Sequence, residues 1–153
     1  MAKKPVEVVL DTREDKTLRQ KFVGHDEVRR FDVDKLDEGD ILVEDSVIIE
    51  RKTIGDFVGS MKNRRLDDQI GRMYDQYGPE NSFVLIEGNM EDFENMPYTK
   101  MPANSVRGFV GSISARWQCI PLFCSDADTL VDMAVKIGRK RVEDTNRTFR
   151  APD

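Results

Sequence analysis

A single histidine, His25, occurs among the 153 residues, and it reads as a surface turn residue. His-based catalytic triads and His-rich metal sites are therefore excluded. Only two cysteines are present, Cys119 and Cys124. They share one apolar run without metal-binding spacing, so they read as buried thiols of a reducing compartment. No apolar stretch is long enough to span a bilayer, and Val6 to Leu10, behind a basic start, is too short for the apolar region of a signal peptide. The expected location is cytoplasmic or nuclear, with no membrane partner. Repeats, low-complexity tracts and a Pro/Gly/Ser linker are all lacking, so one domain is expected over residues 1–145, with 146–153 a flexible tail.

Charge is what the chain has in quantity. It is 35% charged and 39% hydrophobic, with a formal net charge of -5. The negative total argues against a general nucleic-acid coat, but nucleic-acid binding follows local basic clusters and not the total.

Apolar periodicity gives an α/β order. Val6 to Leu10 is a strand, Leu18, Phe22 and Val23 mark a helix face ending near Gly24, and Val28, Phe31 and Val33 mark a second strand. A hairpin follows, with apolar arms Ile41 to Val43 and Val47 to Ile49. Ile54, Phe57, Val58 and Met61 repeat at helical spacing. Leu66, Ile70, Met73, Tyr74 and Tyr77 do so in a shifted phase, so two helices are expected. Phe83 to Ile86 is a strand and 89–102 a loop. Asn104 is the expected N-cap of a helix carrying Val106, Phe109, Val110, Ile113 and Trp117, the last a core residue. Cys119 to Cys124 is a buried strand, and Asp126 opens a last helix through Leu130, Met133, Ala134 and Ile137. The expectation is a mixed central sheet flanked by helices.

The hairpin ends in Glu50-Arg51-Lys52, three charged residues on an apolar strand. Alternation turns Ile48, Glu50 and Lys52 to one face and Val47, Ile49 and Arg51 to the other. Whether Asp40 joins Glu50 is a matter of register. A three-residue loop, Glu44 to Ser46, pairs 40 with 50; a two-residue loop pairs 40 with 51 and separates them. If they meet, two carboxylates suit a hard divalent cation such as Mg²⁺ or Mn²⁺. Lys52 would then orient a water or offset charge in phosphodiester hydrolysis. Asp11 and Glu14, just beyond the first strand, are further ligand candidates. The alternative is a solvated strand end and a turn aspartate.

Gly39-Asp40 followed by Glu50-Arg51-Lys52 and Asp56 resembles the signature of XPF-type structure-specific endonucleases, a branch of the restriction-endonuclease-like PD-(D/E)XK fold. Asp11-Thr12-Arg13-Glu14, Phe57 with Ser60, Arg65-Leu66 with Gln69, Ile86-Glu87-Gly88, Val106-Arg107-Gly108 and Ile120-Pro121-Leu122 extend the likeness over about residues 6–140. The resemblance implies Asp40 and Glu50 as principal metal ligands, Glu14 and Asp11 completing the site, and Lys52 as the catalytic lysine. It gives Arg13, Arg51 and Asp56 supporting roles; for Arg13 and Asp56 an ion pair or a helix start is the equal alternative. Arg65 and Gln69 brace the site or meet DNA, with Lys62, Arg64, Arg72, Arg107 and Arg116 as further basic candidates. Asn63-Arg64 departs from the family's Asp-Gly, and with room for neither, no helix-hairpin-helix or helicase domain is expected in these 153 residues. The implied activity is a Mg²⁺- or Mn²⁺-dependent endonuclease on branched DNA, in repair or recombination. It would act as a homodimer, or as a heterodimer with a related subunit, joined through Phe109, Ile113 and the Leu130 helix. A junction resolvase, a restriction or repair nuclease of the same fold, and a non-catalytic DNA-binding module are the alternatives.

Overall fold

The apolar runs form six strands of one mixed sheet in a computed structural model that describes residues 5–95 and 102–144. In chain order the strands are β1 (Val6–Asp11), β2 (Val28–Asp34), β3 (Ile41–Val43), β4 (Val47–Thr53), β5 (Ser82–Glu87) and β6 (Leu122–Cys124). The helices are α1 (Lys16–Val23), α2 (Ile54–Gly59), α3 (Arg65–Tyr77), α4 (Ala103–Trp117) and α5 (Ala127–Asp144). Strand order across the sheet is β2-β1-β3-β4-β5-β6. The β1–β3–β4 centre is antiparallel; β2 joins β1 and β5–β6 continue from β4 in parallel.

Each face of the sheet has its own core. On one, Leu18 and Phe22 of α1 and Leu130, Val131, Ala134 and Val135 of α5 pack on Val8, Leu10, Val43, Ile49 and Leu85. On the other, α2, α3 and α4 bring Phe57, Leu66, Ile70, Val106 and Ile113 against Val84 and Ile86. Burying each such large side chain contributes about 1.5–3 kcal/mol, and the two layers together fix where the strand ends lie. Helix starts follow local chemistry: Asp15 Oδ1 accepts from Thr17 N–H at 2.9 Å, and Asp126 Oδ1 from Thr129 N–H at 2.7 Å.

Several expectations need correction. Val23 lies on the open side of α1 and is 66% exposed, because Leu18 and Phe22 alone face the sheet. Helix α4 starts at Ala103 behind Pro102, so Asn104 is inside the first turn and caps nothing. A 3-10 turn at Met90–Asn95 occupies part of the expected loop. Only Leu122–Cys124 of the Cys119–Cys124 run is strand; Ile120 is 76% exposed because Gln118, at φ 55, turns the chain before it. Ile113 and Leu130, expected in a subunit interface, are buried in the two cores. Trp117 is only partly buried, edge-on to Tyr74, with its indole N–H donating to Asp67 at 2.8 Å. His25 follows α1, but its side chain is only 14% exposed and its Nε2 lies 2.8 Å from Asp132 Oδ1, so it is not the surface turn residue expected. The expected tail and the stretch 96–101, which includes Pro97, lie outside the described residues.

Candidate active site

Parity at the hairpin is the first requirement, and it is met. The loop is three residues long, with Glu44 and Asp45 at positive φ, and the pairs run Val43↔Val47, Leu42↔Ile48 and Ile41↔Ile49. Beyond that last pair the ladder becomes irregular. Asp40 N–H donates to Ile49 O at 2.9 Å, and Asp40 Oδ2 accepts from Arg51 N–H at 2.8 Å. Gly39 makes this possible. Its φ is +75°, and a Cβ there would stand 2.3 Å from Ile48 Cγ1, so a side chain would be excluded both by conformation and by contact.

Asp40 and Glu50 thereby come together as a pair of largely buried carboxyls. Burial first, and the neighbouring Glu50 charge second, push Asp40 up to about 8. Glu50 is only 5% exposed and is also raised by burial. Glu14, beyond the end of β1, joins them; burial and then the Asp40 charge lift it to about 7. Burial, and the charge of a neighbouring acid, disfavour ionisation of all three. A divalent cation is the species that would let all three ionise.

Two cations flank the group from opposite faces of β4. Lys52 is 7% exposed, and its Nζ lies 3.7 Å from Glu50 Oε2. Arg51 points the other way and donates from Nη1 to Glu14 Oε2 and from Nη2 to Glu87 Oε2, both at 3.0 Å. Glu87, at the end of β5, had no role in the sequence reading, although the Ile86-Glu87-Gly88 motif was its signal.

Asp11 lines the same cleft as Asp40 and Glu50. Its oxygens accept from Arg13 Nε at 2.8 Å, Arg13 N–H at 3.2 Å and Leu36 N–H at 2.8 Å. Burial alone would raise its pKa, but these bonds, Arg13 foremost, hold it below the ordinary carboxylate range. It therefore anchors Arg13 and the chain at Leu36. Arg13 reaches on to Leu36 O at 2.9 Å and feels the charges of Asp40 and Glu50. Asp56 is exposed in the first turn of α2, where its N–H donates to Thr53 Oγ1 at 3.2 Å, the arrangement of a helix start.

An open cleft of about 300 Å³ gives access to the site, lined by Asp11, Arg13, Asp40, Glu50, Gln69 and Arg72, among others. Gln69 Oε1 is buried and has no partner among the described residues. Arg72 is paired with Glu38 at 3.0 Å and Arg116 with Asp67 at 3.1 Å, and both guanidiniums remain exposed. Lys62, Arg64 and Arg65 are exposed together before and at the start of α3, and Arg107 is exposed on α4. Arg64 stands at φ 54 and ψ 21, in the left-handed region, so the loop has the shape a glycine would give it.

A second group of donors lies at the other end of β1. His25, Glu27 and Asp132 have ligand atoms all within 4.8 Å of one another, a convergence that Glu14, Asp40 and Glu50 do not reach. Lys136 Nζ lies 2.6 Å from Asp132 and 3.5 Å from Glu27, and Arg139 is ion-paired to Glu27. Ammonium and guanidinium groups already neutralise that cluster. Among the described residues no helix is long and apolar enough to cross a membrane.

Comparison with known proteins agrees with this fold. In Aeropyrum pernix XPF the similarity has a TM-score of 0.70 at 21% identity, covering 96% of this chain and 66% of that one. The same protein in complex with DNA gives 0.69 at 22%, covering 94% and 68%. The shared fold is the restriction-endonuclease-like one. A Methanocaldococcus jannaschii protein named "Putative ATP-dependent RNA helicase MJ1505" is 27% identical over 146 residues, 95% of this chain but 17% of that relative's length. The ERCC4 domain model matches residues 10–137, and the chain belongs to the ERCC4 domain family, with an XPF-type nuclease domain.

Proposed function

We propose that the chain is a divalent-metal-dependent endonuclease that hydrolyses phosphodiester bonds in branched DNA: forks, flaps or junctions. The observation that carries this reading is the buried Asp40–Glu50 pair, with Lys52 beside it, at the end of a central strand. Hydrolysis of a phosphodiester needs a nucleophilic water, relief of charge on the phosphate and help for the departing oxygen.

The donor set fits Mg²⁺ or Mn²⁺: hard carboxylate oxygens, no histidine, and protons that a cation would displace. Asp40 and Glu50 would hold the ion, with Glu14 as the third acid. Once bound, the ion would lower the pKa of a water and polarise the phosphate. Lys52, with Nζ 3.7 Å from Glu50 Oε2, would orient a water or offset charge on the phosphate. Arg13, held by Asp11, presents an exposed guanidinium at the cleft mouth, suited to a DNA phosphate. Lys62, Arg64 and Arg65 extend the basic surface along the loop before α3. A family neighbour held on DNA supports that substrate class. Repair or recombination is the setting that branched substrates imply.

A dimer belongs to the same proposal, a homodimer or a pair with a related subunit. Strand β6 is the sheet edge, and Ile120 and Leu122 are exposed there, 76% and 38%. An unpaired edge with apolar side chains suits a second subunit better than buried Ile113 or Leu130.

Labelled fork, flap, four-way junction and linear duplex, each incubated with Mg²⁺, Mn²⁺ or EDTA, test the reading. Metal-dependent cutting of a branched substrate that Asp40→Asn and Lys52→Ala abolish is the expected result. No cutting of any substrate, or cutting that survives both substitutions, removes it.

A further inference from the structure

Arg51 divides its guanidinium between two acids on the face of β4 opposite Lys52. Nη1 serves Glu14 and Nη2 serves Glu87, each at 3.0 Å, and the Arg51 side chain is 12% exposed. Its Nε is buried with no partner among the described residues. The arginine therefore has more donors than it uses. Without Glu87, the guanidinium would be drawn to close as a fork on Glu14, the geometry that guanidinium and carboxylate favour.

Glu87 is held firmly in place. It ends β5, paired with Thr53 of β4. Gly88 follows at φ +141°, where an added Cβ would stand 2.2 Å from Ile54 Cγ1, and its N–H donates to Cys124 O at 2.7 Å. The strand end cannot drift without disturbing the start of α2.

We infer that Glu87 is a positioning residue for the metal site: by occupying half of Arg51, it limits the guanidinium to one oxygen of Glu14 and leaves the other to face Asp40 and the ion. This rests on the proposed metal-dependent reading and adds a residue that touches neither metal nor substrate. The charges are consistent with it. Fully ionised, Glu14, Asp40, Glu50 and Glu87 face Arg51 and Lys52, an excess of two negative charges, that of one divalent cation. Arg13 is matched separately by Asp11.

The test is Mn²⁺ binding by the full chain, followed by the paramagnetic resonance of free Mn²⁺ and by calorimetry, for the parent, Glu87→Ala, Glu87→Gln, Glu14→Gln and Glu14→Gln/Glu87→Ala. Glu87→Ala should weaken Mn²⁺ affinity about tenfold, the lower end of the effect of outer partners of metal ligands. Glu87→Gln keeps an acceptor for Nη2 and should recover most of the loss. In the Glu14→Gln background the further change should be under about twofold, since the ligand being positioned is gone. Cleavage should show a raised metal requirement with little change in kcat at saturating Mn²⁺. Should Glu87→Ala fail to fold, the smaller loss in Glu87→Gln must likewise vanish beside Glu14→Gln. Unchanged affinity in Glu87→Ala, or an equal loss in both backgrounds, overturns the inference alone. A parent that binds no Mn²⁺ overturns the proposed function with it.

Discussion

The backbone N–H of Arg51 donates to Asp40 Oδ2 at 2.8 Å, so one residue serves both faces of β4. Its side chain reaches Glu14 and Glu87, while its amide fixes the carboxyl of Asp40, which adjoins Glu50 on the other face. The orientation of Asp40 thus depends on the chain path and not on the side chain at position 51.

Asp40→Asn keeps an oxygen for that amide and removes a carboxyl whose ionisation burial and Glu50 disfavour. Metal-dependent cleavage should fall by at least about a hundredfold, since a principal ligand is lost. The metal-free protein should nevertheless melt higher, by about 2 °C or more. A lower melting temperature in the absence of metal would contradict the repulsion that the buried pair implies.

The raised carboxyls predict an unusual pH profile. Asp40 near 8 and Glu14 near 7 bind protons in the folded protein that they release near 4 when unfolded. The folded state therefore holds more protons between about pH 4 and 8, and metal-free stability must decline as pH rises through that window. Mn²⁺ competes with those protons, so its stabilisation should be larger at pH 8 than at pH 5.5. Melting curves at both pH values, with Mn²⁺ and with EDTA, check the sign.

Arg64 holds a left-handed conformation that costs a non-glycine residue about 1 kcal/mol. Arg64→Gly should recover roughly that amount in urea titrations. If the side chain meets a DNA phosphate, the same variant should bind more weakly and lose about one unit of salt slope. Gain in stability with unaltered DNA binding would make the arginine a loop residue only.

Replacing Ile120 and Leu122 by glutamate tests the β6 edge. Sedimentation velocity should show the parent as a dimer and the double variant as a folded monomer. A monomeric parent at micromolar concentration would remove the dimer from the proposal.

What could be read from the sequence was what depends on period and punctuation. Alternation separates Glu50 and Lys52 from Arg51, and the loop length decides whether Asp40 joins them; both are local facts. Partners distant in the chain left no such trace. Leu36, whose N–H donates to Asp11 from 25 residues away, is one such partner. Glu87 is 36 residues from Arg51, and nothing in spacing reveals their bond. Ile120 looked buried since its neighbours are apolar, whereas the turn at Gln118 carries it outward. Periodicity identifies a helix face without saying how wide it is, which is why Val23 was misread.

The three acids enter from β1, from the approach to β3 and from β4, the antiparallel centre of the sheet. Both edges, β2 and β6, are one strand or more away from them. Opening at an edge can therefore occur by local fluctuation while β1, β3 and β4 stay paired to one another. A protein arranged in this way can yield at its margins to an irregular substrate and still present unchanged chemistry at its centre.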